Sequence, residues 1–154
     1  MAGTRYTVVP HEGVAPVRLG MARAECRAVM PEAPRTFRKG PGDGGDTDAF
    51  HSSAFQVFYD AEDRVEYIEL SRGSEVDPQL DGVSVLDVAA DEAVAHVRRL
   101  AEFDADDPEV GYSYVFPDLD VAFWRPVIPE SDDDPDGRTF STVGVGIHGY
   151  HARR

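Results

Sequence analysis

The chain has 154 residues, 29 of them acidic and 15 basic, and a formal charge of −14. That length suits one domain with a real core, and 42% hydrophobic, 10% aromatic and 29% charged residues exclude wholesale disorder. The acidic balance also argues against nucleic acid, which needs a basic footprint, and against an anionic membrane surface.

Glycine and proline punctuate the rest. Residues 1–16 read as an irregular or extended arm ending at Pro16. Residues 21–30 predict a short helix, because Ala22, Cys26, Val29 and Met30 fall on one face. Pro31 and Pro34 stop it. A strand is expected to begin at 36–38, followed by a glycine-rich loop over 39–48. The clearest hairpin follows: a strand over 54–59, a turn over 60–63 and a return strand over 64–71. In the return strand strict alternation would place Glu66, Ile68 and Leu70 on one face and Val65, Tyr67 and Glu69 on the other. Apolar groups on both faces predict a sheet that is either covered twice or presents an aromatic surface.

Residues 72–82 read as a linker. Asp87 is positioned to cap a helix over 88–101, with Asp91 and Glu92 early and Arg98 and Arg99 late, the order the helix dipole favours. Strands are expected over 111–116, 119–125 and 140–148, with an acidic loop over 129–137. Shifting the sequence by 67 residues lays Leu19, Ala22, Glu25 and Ala28 on Leu86, Ala89, Glu92 and Ala95. The fold class expected is α+β: an antiparallel sheet with two short helices on one face. It forms a single domain (1–154) or two helix–sheet repeats over about 14–72 and 82–149.

Catalytic signatures are weak. Cys26 is the only cysteine, which rules out an intramolecular disulfide, and it sits on the apolar stripe of the first helix rather than beside a histidine. Asp132, Asp134, Asp136 and Gly137 match positions 1, 3, 5 and 6 of a calcium loop, but position 12 is Val143 rather than glutamate. His148 and His151 form a pair with no evident third ligand, so no metal or cofactor is predicted. His11, His51 and His96 stand alone. The glycines of 40–45 lack the lysine of a phosphate loop. No basic start precedes an apolar run in the first thirty residues, and no segment approaches the roughly 18–20 apolar residues of a membrane span. The expected location is cytoplasmic.

The segment Val17–Pro34, with Leu19-Gly20-Met21 at its start, Glu25 within the helix and a Pro31/Pro34 stop, resembles the opening of the small helix-then-sheet modules of the β-lactamase inhibitory protein family and of barrel-assembly lipoproteins. Those modules carry glycine where Pro31 stands. The hairpin Phe55–Leu70 resembles hairpins of immunity-type and other actinobacterial proteins. The resemblance implies tandem helix–sheet modules that bind a protein. Tyr59, Tyr67, Tyr112, Tyr114, Phe123, Trp124 and Arg125 are the candidate partner-binding residues, since tyrosine, tryptophan and arginine dominate interface hot spots. The function expected is non-enzymatic binding of a protein partner with basic character, most sharply as an immunity or inhibitor protein. The alternatives are a ligand-binding protein or enzyme with a pocket between helix and sheet, and a purely structural module.

Overall fold

Short alternating runs, closed by glycine and aspartate turns, make strands the dominant element. In the computed structural model, which describes residues 3–37 and 47–151, the order is β1 (Thr4–Val9), β2 (Gly13–Val14), β3 (Val17–Arg18), α1 (Arg23–Val29), β4 (Arg35–Phe37), β5 (Thr47–Phe50), β6 (Phe55–Tyr59) and β7 (Val65–Ser71). Then come β8 (Val76–Leu80), β9 (Val83–Ser84), α2 (Ala90–Val97), β10 (Ser113–Phe116), β11 (Val121–Trp124) and β12 (Thr142–Gly146). The larger sheet has seven strands in the order β10-β11-β12-β7-β6-β5-β4, antiparallel throughout. The fold is α+β, with both helices packed into the same core as this sheet.

The smaller sheet, β3-β2-β1-β8-β9, was not legible as a sheet. Its central pair is parallel, with Thr4 opposite Val76 and Thr7 opposite Gln79. It is built from the arm and from residues inside the expected linker over 72–82. Each run is short, and the two are distant in sequence, so only tertiary contact reveals their pairing. The expected loop over 39–48 ends early, because Thr47 and Asp48 belong to β5; residues 39–46 lie outside the described residues.

The second helix is shorter than expected. Ala89 is its N-cap and no side chain caps it, while the Asp87 and Val88 amides bond back to the Ser84 carbonyl in a preceding turn. Ala22 likewise caps α1, so the 67-residue offset carries one helix start onto the other. Each helix precedes a meander, β4–β7 or β10–β12, and the last strands of the two meanders pair with each other. No described helix is long and apolar enough to cross a membrane.

A β-bulge corrects the face assignment in β7. Tyr59 pairs with Val65 but Phe58 pairs with Tyr67, leaving Glu66 as an extra residue. The alternation therefore changes phase. Val65, Ile68 and Leu70 are buried on the inner face, while Glu66, Tyr67 and Glu69 are directed outward. The inner face meets Cys26 of α1, Ala90, Ala93, Val94 and Val97 of α2, and Tyr6, Val8, Val76 and Leu80 of the smaller sheet.

One carboxylate lies within this interior. Asp48 is fully buried and accepts hydrogen bonds from Arg27 Nε and Nη2 (both 2.8 Å), the Tyr59 hydroxyl (2.8 Å) and the Thr36 hydroxyl (3.0 Å). Burial works to raise its pKa, but the bonds from Arg27, Tyr59 and Thr36 prevail and hold it below the ordinary carboxylate range. Burial also raises the Tyr59 phenol, which stays a donor. Arg23 lies over the Tyr59 ring at 4.0 Å and makes a two-pronged pair with Asp63, closing the other side.

Asp48→Ala should lower stability by about 3 kcal/mol, the low end for breaking a buried pair, because Arg27 is partly exposed and can rehydrate. The folded-state carboxyl lies below its unfolded value of roughly 3.9. Its contribution is therefore complete above that pH and is lost as pH falls through the folded value. Urea unfolding followed from neutral pH to below about pH 4 should show a steeper loss for the wild type than for Asp48→Asn.

Candidate functional site

The outer face of the larger sheet is organised by two glycines. Gly144 and Gly146 alternate with Val143 and Val145 in β12, so the valines enter the core and the glycines leave the outer side bare. A Cβ at Gly144 would overlap the Tyr67 hydroxyl, and one at Gly146 would come within 2.6 Å of Tyr150 Cβ. The space is filled instead by aromatic rings lying over the strand. Tyr67 and Tyr150 stack at 4.7 Å with 13° between their planes. Phe58, opposite Tyr67 on β6, meets it edge-on at 5.8 Å, and His151 does so at 5.7 Å.

Beside these rings runs a groove of about 590 Å³, lined by Glu66, Tyr67, Glu69, Trp124, Tyr150 and His151 among others. None of its lining residues comes from α1 or α2. Trp124, paired with Thr142 and Ser113, is 45% exposed although it sits on a strand. Aromatic and carboxylate groups are thus presented together on a rigid sheet.

The predicted binding residues divide between the two faces. Tyr67 and Trp124 line the groove. Tyr112 is exposed just before β10, away from the groove lining. Tyr59 and Phe123 are buried in the core, which corrects their expected place on an open surface. Tyr114 is half-buried between the Phe103 and Phe140 rings. Arg125 is buried as well; its Nε donates to the Gly111 carbonyl and its Nη1 to that of Gly137, both at 2.8 Å. The cause is the period of two: Phe123 and Trp124 cannot face the same way. Arg125, just past the strand end, turns in to tie two loops. Glu66, Glu69, Tyr150 and His151 were not among the predicted residues. The Gly144-Val-Gly146 spacing was the available signal, since glycine within a strand marks close approach of another group.

Behind the groove wall lies Asp120, 1% exposed, at the end of the turn between β10 and β11 with φ at +51°. Its carboxylate accepts N–H bonds from Gly149 (2.9 Å) and His151 (3.1 Å), and its carbonyl accepts one from Gly146 (2.8 Å). Together with the Glu66 carbonyl, which accepts the Ile147 N–H at 3.0 Å, Asp120 holds the turn over 147–151 that carries Tyr150 and His151. Three imidazoles surround it. His11 Nε2 lies 3.3 Å from Oδ2, His148 Nδ1 4.0 Å from Oδ2 and His151 Nδ1 3.6 Å from Oδ1. His148 therefore gathers with His11 and Asp120, whose distance in sequence hid them from a spacing argument.

Other candidates resolve into structure. Cys26 is fully buried and burial raises its thiol, beside Tyr59, away from the reactive thiolate form. In the acidic loop, Asp134 accepts the amides of Glu130 and Asp136, which pull its carboxyl below the ordinary range. Val143, at the twelfth calcium-loop position, is inside β12.

Gly144→Ala should displace Tyr67 from the sheet. The expected cost is about 1–3 kcal/mol, with a changed near-ultraviolet circular dichroism signal and a retained far-ultraviolet one. No family model matches this chain, and neither the curated proteins nor the solved structures searched provide a match.

Proposed function

We propose that the protein binds another protein through the outer-face groove, acting as an immunity- or inhibitor-type binder of a partner with a basic contact surface. The observation that carries this reading is Trp124, half-exposed on a strand in the same groove as Tyr67, Tyr150, Glu66 and Glu69. A large ring on a rigid strand buries much area for little lost side-chain entropy, which is what hot spots require. The carboxylates favour a cationic counterpart, and the overall charge of −14 adds long-range steering toward it. The two helix–meander halves and the resemblance of residues 17–34 to inhibitor-type modules support the same reading.

The test is co-purification with the products of adjacent genes, followed by titration of any product retained. One basic product should bind, and Trp124→Ala should weaken it by about 30-fold or more, the scale of a hot-spot truncation. The association rate should fall as ionic strength rises from about 0.01 to about 0.15 M, over which the Debye length shrinks from ~30 to ~8 Å. Unchanged affinity in Trp124→Ala, or no binding by any of those products, overturns the reading.

A further inference from the structure

Among the described residues, the ion-pair partners of buried Asp120 are all histidines. Two imidazole nitrogens, His11 Nε2 and His148 Nδ1, face the same carboxylate oxygen, Oδ2. The three atoms lie within 4.8 Å of one another. Each ring can meet the carboxylate through a ring N–H, or the two ring nitrogens and the carboxylate oxygen can together ligate one metal ion.

We propose that His11, Asp120 and His148 form a binding site for one divalent transition-metal ion of the Zn²⁺ class. The donor set selects this class. Two imidazoles with one carboxylate suit borderline metals, whereas Mg²⁺ and Ca²⁺ prefer all-oxygen shells. Ligand bonds of about 2.0–2.1 Å in a tetrahedron set neighbouring donors roughly 3.4 Å apart. His11 and Asp120 already stand at 3.3 Å. His148 stands at 4.0 Å, and its side chain is 92% exposed, so a small rotation closes the difference. The carboxylate is oriented by the amides of Gly149 and His151, the kind of outer support that ligating carboxylates have. The exposure of His148 leaves the remaining coordination position open to water.

The three ligands come from three separate turns: between β1 and β2, between β10 and β11, and after β12. A bound ion would cross-link the two sheets and fix the turn bearing Tyr150 and His151. The site stands independently of the protein-binding reading, because no partner is needed to observe it.

The experiment titrates the full chain, free of any affinity tag, with Zn²⁺ alone by equilibrium dialysis and with Co²⁺ as a spectroscopic probe. One equivalent of Zn²⁺ should bind saturably and raise Tm, and Co²⁺ should show ligand-field bands of imidazole–carboxylate coordination. His148→Ala, which removes an exposed side chain and keeps the fold, should weaken Zn²⁺ binding by more than about tenfold. His11→Ala should do the same, whereas His96→Ala, at a histidine paired with Asp81 elsewhere, should leave binding unchanged. Absence of saturable binding, or equal affinity in wild type, His11→Ala and His148→Ala, overturns the proposal.

Discussion

The outer face depends on one extra residue in the central strand. Tyr59 pairs with Val65 while Phe58 pairs with Tyr67, and Glu66 is left over between them. Without that bulge, a strict alternation would send Glu66 into the core beside Ile68 and carry Val65 outward. With it, every inward position of β7 is apolar, while Glu66, Tyr67, Glu69 and Ser71 face outward. A bulge also increases local twist. Because β7 is the strand through which the first meander joins the second, this one irregularity serves both the packed interior and the exposed groove.

Two buried carboxylates each tie a neighbouring segment to the larger sheet. Asp48 is compensated by permanent cations and hydroxyl donors, so it behaves as a fixed structural anion above the acid range. Asp120 is compensated by two backbone N–H donors and surrounded by imidazoles rather than by permanent cations. The first residue anchors α1 to the sheet. The second anchors the chain after β12 to the wall of the groove, which places the His11, Asp120 and His148 cluster behind that wall.

The charge has a particular distribution. The Asp104–Glu109 and Asp132–Asp136 segments lie outside the strands and helices, and Asp134 is satisfied by its own loop amides. Glu66 and Glu69, by contrast, are on a rigid strand within the groove. The former set gives a diffuse negative field; the latter gives negative charge at a defined place. Exposed loop charges are screened by salt, so their field fades within a Debye length.

By itself, the sequence determined the class of the fold and the hairpin of β6 and β7. Period-two runs such as Phe55–Tyr59, proline stops at Pro31 and the apolar stripe through Cys26 are local signals that the tertiary structure had no reason to override. It also determined that Trp124 and Phe123 face opposite ways, once the strand is recognised. Tertiary structure alone decided the parallel pairing of β1 with β8, the phase change in β7 and the inward turn of Arg125. The first arises from contact between segments distant in sequence, the second from the register of β7 against β6, and the third from two flanking loops. The gathering of His11, Asp120 and His148 is the extreme case. No spacing rule links three turns spread over nearly the whole chain; the pairing of β11 with β12, and the packing of the β1–β2 hairpin against β12, bring their side chains to one point.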